Sequence, residues 1–271
     1  MAMATAAIEL RNVTKRFATP KGGIYTALRD LTMEVAPGEF CAVVGPTGCG
    51  KSTTLALISG LERASAGEVL VMGEPIRGIP DGIGYVFQTD AVFPWKTVLE
   101  NVAAGPRYHG TTGSAARKKA REWIARVGLA GFEDRYPHQL SGGMRKRVGL
   151  AQSLINNPRI LLMDEPFSAL DVQTRTLMEN ELLAIWSATS ASVVFVTHDL
   201  EEAISLADRV VVLTAGPGTV KGTYKVDLPR PRNVAEIRFQ PRFAQIYEAI
   251  WSQLRDEVLV SYERQKHAAA V

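Results

Sequence analysis

Long apolar runs are missing from this chain of 271 residues. None approaches the roughly 18 residues that a bilayer-crossing helix needs, so any membrane role has to come through a partner. The opening stretch "MAMATAAIEL" lacks the charged start and long apolar core of a secretion signal. Cysteine is scarce, with only Cys41 and Cys49 present. Cys41 falls in an apolar run and Cys49 in a glycine-rich loop, without the close spacing of a metal-binding pair. That pattern reads as two reduced thiols of a cytosolic protein. A large charge excess is also absent. The formal net charge of +3 is too weak to call for nucleic acid as a partner. No internal repeat and no low-complexity segment occurs. What remains, 46% hydrophobic and 22% charged, is the composition of a globular protein with enough apolar residues for a sizeable core.

Strand-like runs alternate with helical patterns, which favours an α/β fold. "AIELRNVTKRF" alternates as an early strand. "TMEVAPGEFCAVVG" reads as two strands about a Pro-Gly turn. "KSTTLALISGLE" reads as a helix ending near Gly60, and "IGYVFQTD" as a strand stopping at polar residues. From Thr97 to Asn157 the pattern is mostly helical. Within it, "SAARKKAREWIARVGL" offers Ser114 as a cap and Trp123, Ile124 and Val127 at helical spacing. Three apolar runs follow, "RILLMDEP", "SVVFVTHD" and "RVVVLTAG". Their lack of alternation suits parallel strands buried on both faces, with functional residues at their carboxyl ends. Beyond Pro229, "LPRPRN" reads as a stiff basic linker. The helix after Pro241 should place Phe243, Ile246, Tyr247, Ile250, Trp251 and Leu254 on one face, to pack on its own domain or on a partner.

Two segments carry chemistry. "GPTGCGKST" comprises Gly45, Pro46, Thr47, Gly48, Cys49, Gly50, Lys51, Ser52 and Thr53, and fits G-x-x-x-x-G-K-[ST] between a strand and a helix. Its glycines let backbone N–H groups turn toward phosphate oxygens, and the helix start adds positive partial charge. Lys51 can reach the β- and γ-phosphates, and Ser52 can offer a hydroxyl to Mg²⁺. In "ILLMDEP", Asp164 ends an apolar run, as suits a carboxylate that helps hold hydrated Mg²⁺. The adjacent Glu165 can orient an attacking water or accept its proton. A guanine-reading N-K-x-D motif is absent, which argues against a GTPase.

With the phosphate loop, "LSGGM", "LLMDEP", "SALD" and "VTHD" in this order, the chain resembles the ATPase subunits of ABC transporters over nearly its whole length. The resemblance implies a P-loop NTPase (RecA-like) core with an N-terminal antiparallel β subdomain and an inserted α-helical subdomain. It implies a single ABC ATPase domain over 1–271, divided into a core at 1–88 and 158–228, a helical subdomain at 89–157, and a linker and helix at 229–271. By the same resemblance Phe17 stacks on adenine, Gln88 senses Mg²⁺ and the attacking water, and His198 contacts the γ-phosphate. Asp171 would cross between two subunits, a role compatible with capping a helix. Ser141, Gly142 and Gly143 would face the ATP held by a second subunit, in a homodimer or pseudo-dimer.

"TDAVFPWKTVLENV", "EEAISLADRVVVLTAGPG" and "DLPRPRN" are similar to importers of the nitrate, sulfonate and taurine group. That implies a peripheral ATPase at the cytoplasmic face of the inner membrane, bound to a permease and served indirectly by a substrate-binding protein. Phe93, Pro94 and Trp95 would receive the permease. ABC exporters share the catalytic motifs, and soluble ABC ATPases remain a further reading. The chain departs from the pattern at Lys146, where many relatives have Gln, and at Ser168, where the narrower group often has Gly. Lys146 should add a charge near the subunit interface.

Overall fold

A computed structural model describes residues 5–20, 22–89 and 91–269 of the chain. These divide into two compact units, Met1–Asp81 with Ser190–Val271, and Gly82–Thr189. The first begins with β1 (Ile8–Ala18), β2 (Ile24–Val35) and β3 (Phe40–Val44), followed by α1 (Lys51–Ile58), β4 (Ala66–Val71) and the short β5 (Glu74–Pro75). β1 lies between β2 and β4 and pairs antiparallel with both, and β5 extends the sheet beyond β4. The alternation read in "AIELRNVTKRF" turns Ile8, Leu10 and Val13 inward to complete burial.

The second unit carries β6 (Ile83–Val86), the short helices α2 (Val98–Val102) and α3 (Ala104–Tyr108), then α4 (Gly113–Arg126) and α5 (Gly142–Leu154). It closes with β7 (Ile160–Asp164) and α6 (Val172–Thr189). β6 and β7 pair in parallel, from Ile83↔Ile160 to Val86↔Met163. Ala116, Ala120, Trp123 and Ile124 form the buried face of α4 at helical spacing. Its cap differs from the expected one. Thr112 is the N-cap and Ser114 sits inside the first turn, with no side-chain capping bond at this end. The helix starts one turn-position early because Gly113 and Ser114 already have helical backbone, so a hydroxyl at Ser114 is past the place where it could cap. At α2 the sequence signal is complete instead, with Thr97 and Glu100 forming a capping box.

The chain then returns to the first unit with β8 (Ser192–Thr197), α7 (Leu200–Leu206), β9 (Arg209–Leu213), β10 (Val220–Lys225), α8 (Val234–Ile237) and α9 (Pro241–Ala269). β3 lies between β8 and β9 and is parallel to both, while β10 adds antiparallel at the β9 edge. β3 and β8 are buried along their whole length, which explains their lack of alternation.

"LPRPRN" is tied down by its arginines. Arg230 pairs with Asp208 at 2.7 Å. Arg232 is buried, and its guanidinium donates to the carbonyls of Ile204, Ser205 and Ala207 at the end of α7, and to those of Val226 and Leu228. A helix end leaves carbonyls without intrahelical donors, and a fork of N–H groups suits them. Burial pushes the Arg232 pKa down to about 10, which still leaves it charged near neutrality.

α9 packs on its own unit through Phe243, Ile246, Ile250 and Leu254. Tyr247 is half-buried at the edge of that face, and Trp251, assigned to it from the sequence, is 41% exposed. The two positions predict a contrast. Ile250→Ala empties a fully buried site and should cost about 2–5 kcal/mol, whereas Trp251→Ala should cost less. Denaturant unfolding midpoints of the two variants check this, and equal losses would contradict the packing.

Candidate functional site

In the first unit the phosphate loop joins β3 to α1. Gly50 stands at the helix N-cap with φ 98, a left-handed conformation that side chains resist, and α1 has no side-chain cap and no acidic residue in its first turn. Its leading N–H groups are therefore offered to an outside acceptor. At Gly48 an added Cβ would meet nothing within 4 Å, so the loop is open on that side. Lys51 is buried and folds back over the loop, donating to the carbonyls of Gly45 at 2.7 Å and Pro46 at 3.0 Å. Thr54 ties the loop to the helix through Gly50 at 3.0 Å. Gly45, Pro46 and Cys49 are buried, Thr53 is half-buried, and Thr47, Gly48 and Ser52 are exposed. The Cys49 thiol is pushed up chiefly by burial. It is a packed core group of the loop and not an open nucleophile.

The loop has supports that sequence reasoning missed. Tyr25 on β2 donates its hydroxyl to the Gly48 carbonyl at 3.2 Å. The turn after β9 bonds to β2 through Gly218, which donates to Ala27 at 2.8 Å and accepts from Arg29 at 3.0 Å. α9 holds the same turn, because Glu257 accepts from the Ala215 amide at 2.6 Å and pairs with Lys221 at 2.7 Å. Phe17, on β1 opposite Tyr25, is half-buried, with the Lys15 ammonium 4.7 Å from its ring centroid. His198 is exposed beyond the end of β8. Its neighbours fix the backbone there. Asp199 caps α7 from Glu201 and Glu202, and Thr197 donates to Glu202 at 2.6 Å.

The second unit holds the acidic pair and the signature. Asp164 is buried at the end of β7. The next residue, Glu165, has φ 45, a strained conformation for a side-chain-bearing residue. That turn swings Glu165 out of the strand register to half-burial, where the exposed Gln88 donates to its carboxylate at 3.2 Å. Ser168 had looked like a mere departure from a glycine. Its hydroxyl bonds the Glu165 carbonyl at 3.0 Å and its amide reaches the same oxygen at 3.3 Å, closing the turn. Tyr85 on β6 stacks on Phe87 at 4.1 Å, and burial, with the Asp164 charge, pushes its hydroxyl pKa up.

Ser141 caps α5, accepting from the Met144 amide at 3.3 Å; it is exposed, with Gly142 and Gly143 half-buried behind it. Asp171 caps α6 through the Thr174 amide at 3.0 Å, and that bond lowers its carboxyl pKa. Lys146 does not add a surface charge. It is buried on α5, with its ammonium bonded to the carbonyls of Phe87 and Gln88.

A groove of about 480 Å³ in this unit is lined by Trp95, Lys96, Glu100, Ala104, Arg107 and Tyr108. Trp95 is 71% exposed and tilts against Phe93 with ring centroids 5.7 Å apart; Pro94 is exposed and Phe93 half-buried. Asn101, fully buried on α2, holds the turn that presents them. Its side chain accepts from the Phe93 amide at 2.7 Å and donates to the carbonyls of Phe93, Lys96 and Thr97.

Comparison with known proteins finds relatives over most of the chain. The family model described as ABC transporter matches residues 28–168. An uncharacterized ABC transporter ATP-binding protein of Methanocaldococcus jannaschii is 46% identical over 254 residues, 94% of this chain and 93% of the relative. An aliphatic sulfonates import ATP-binding protein of Xanthomonas axonopodis is 40% identical over 96% of this chain and 97% of its own. A taurine import ATP-binding protein of Burkholderia pseudomallei is 41% identical over 91% and 96%. Among solved structures, a dimeric ATP-binding cassette in a post-hydrolysis state, bound to ADP and Pi, superposes with a TM-score of 0.75 at 33% identity. It covers 82% of this chain and all of that one. The α/β architecture is thus that of a P-loop NTPase, and the chain belongs to the ABC transporter family as an ATP-binding subunit that hydrolyses ATP.

Proposed function

We propose that this chain powers uptake of a small polar solute of the sulfonate or taurine kind through a partner permease. The observation that carries the reading is the likeness, at 40–41% identity over more than nine-tenths of the chain, to proteins named as sulfonate and taurine import subunits. The groove at Trp95 supports it. Exposed aromatics on a pinned turn are an anchoring surface for a helix of a partner protein. The subunit would work at the cytoplasmic face of the inner membrane. Among the described residues no helix is long and apolar enough to span a membrane, so attachment falls to the permease.

In this reading the amides of Gly48 to Thr53 and the Lys51 ammonium receive the phosphates of ATP. Lys51 then exchanges its bonds to the Gly45 and Pro46 carbonyls for phosphate oxygens. Phe17 offers its ring to adenine. Ser52, Gln88 and Asp164 would hold Mg²⁺, and their oxygens are the hard donors that ion takes. Magnesium, when bound, offsets phosphate charge. Glu165 orients the attacking water and accepts its proton, with the Gln88 bond and the left-handed turn fixing its carboxylate. His198 contacts the γ-phosphate.

Two copies of the chain, or this chain and a close relative, would sandwich ATP. Ser141, Gly142 and Gly143 would meet the nucleotide of the other copy, and Asp171 would cross toward it. The solved dimeric cassette bound to ADP and Pi supports pairing. The closed pair is favoured while the γ-phosphate is present and reopens after its loss, which turns cleavage into motion.

Glu165→Gln is expected to lower phosphate release at least about 100-fold while an ATP-bound dimer accumulates on size-exclusion chromatography. Wild-type turnover would remove Glu165 from its role. Ser141→Arg should keep ATP binding and lose turnover, and full activity in that variant would refute the shared site. Trp95→Ala should cut co-purification with the permease and cellular uptake of the sulfonate by about tenfold; unchanged uptake would place the docking surface elsewhere.

A further inference from the structure

Lys146, two residues past "LSGGM", has no part in the proposed mechanism, and its surroundings are specific. It is 6% exposed. A buried ammonium needs oxygen partners, and here they are backbone carbonyls, Phe87 at 3.2 Å and Gln88. Those carbonyls lie just past the end of β6, whose last paired residue is Val86. They have left the strand ladder and need donors from elsewhere. Ser153 repeats the contact two helical turns on, donating to the Tyr85 carbonyl at 2.8 Å. α5 is therefore fastened at two points along one face to the segment that runs from β6 into Gln88.

We propose that Lys146 is a positioning residue for ATP hydrolysis: it ties the signature helix to the Gln88 backbone and, through the Gln88 side chain, sets the carboxylate of Glu165. The path is short and continuous. Ser141 and Gly142 begin the helix on which Lys146 sits about 7 Å further along. Lys146 holds the Gln88 carbonyl, and the Gln88 amide donates to Glu165 at 3.2 Å. A shift of the helix start, such as contact with a second copy's nucleotide would cause, is passed to the same copy's own base. The ammonium has three donors and no acceptor, so it can serve two carbonyls with charge-assisted bonds. A glutamine in its place has a shorter reach and buries an acceptor of its own. The inference rests on the hydrolytic roles given above to Gln88 and Glu165.

The test uses the full chain, with ATP turnover and nucleotide binding measured on four proteins: wild type, Lys146→Met, Gln88→Ala and the double variant. Lys146→Met keeps the apolar stem and removes the donors. It should lower kcat about tenfold while KM for ATP stays within about twofold, and Lys146→Arg should recover most of the loss. In the Gln88→Ala background the same substitution should add little, because the bond it removes acts through the missing side chain. Wild-type kcat in Lys146→Met overturns the proposal. So does an equal fractional loss with and without Gln88, the mark of a merely structural residue. Should the Met variant fail to fold, Lys146→Leu, which also lacks donors, replaces it in the same four-way comparison and is judged by the same two outcomes. If Gln88→Ala alone retains full turnover, the assignment of Gln88 has failed, a result separate from either outcome at Lys146.

Discussion

Backbone carbonyls stranded where a strand or helix ends must find donors, and buried cations supply them at Lys51, Lys146 and Arg232. Lys51 bonds the carbonyls that open the phosphate loop, Lys146 those that follow β6, and Arg232 those that end α7. Each contact is the meeting of two groups that would be costly alone, a buried charge and an unpaired carbonyl. The consequence is geometric. A cation that satisfies two or more carbonyls fixes the exit path of the chain from a regular element, and the functional residues of an α/β protein lie on those exit paths. The phosphate loop and the Gln88 segment are held in this way. The third cation anchors the approach to α8 and α9, and α9 in turn holds the turn after β9 through Glu257.

Glu165 meets a different constraint with the same result. A carboxylate that continued the β7 register would follow Asp164 into the opposite face of a strand whose residues are all buried. The left-handed turn takes it out of that alternation to half-burial, and Ser168 closes the turn from below through the Glu165 carbonyl. The cost of such a backbone is about 1–3 kcal/mol, met by the strand behind it and the bonds around it. Adjacent residues in sequence thus reach opposite environments, one buried at a strand end and one presented beside Gln88.

The sequence displayed what is local. Apolar runs without alternation located β7, β8 and β9, the Pro-Gly turn located β3, and the glycine loop was legible because its spacing is itself the structure. Capping was misread at Ser114, where the helix began just upstream at Gly113, and passed over at Thr97, whose box partner Glu100 lies three residues on. What stayed hidden depends on backbone atoms far away in sequence. A carbonyl has the same chemistry in every residue, so nothing in "MRKR" announces that Lys146 reaches Phe87 and Gln88, nor in "LPRPRN" that Arg232 closes a helix. The roles of Tyr25 at Gly48 and of Asn101 beneath Phe93 were hidden for the same reason. Trp251 was misplaced because a long helix buries a narrower stripe than its apolar residues suggest, as exposure at Val258, Leu259 and Tyr262 also attests.

The two compact units divide the chemistry unevenly. The phosphate loop, Tyr25 and His198 belong to one, while Asp164, Glu165, Gln88 and the signature belong to the other. On the proposed mechanism, nucleotide is gripped by the first and cleaved with groups of the second. Affinity and turnover are then separable properties, because a change inside the second unit can alter the setting of Glu165 without touching the loop that holds phosphate. The internal bonding of the second unit favours such control. Gln88 is held from α5 by its backbone and reaches the turn after β7 by its side chain, and the groove at Trp95 lies in that same unit. A change in how α5 meets the end of β6 would then reach Glu165 through Gln88, without passing through the phosphate loop.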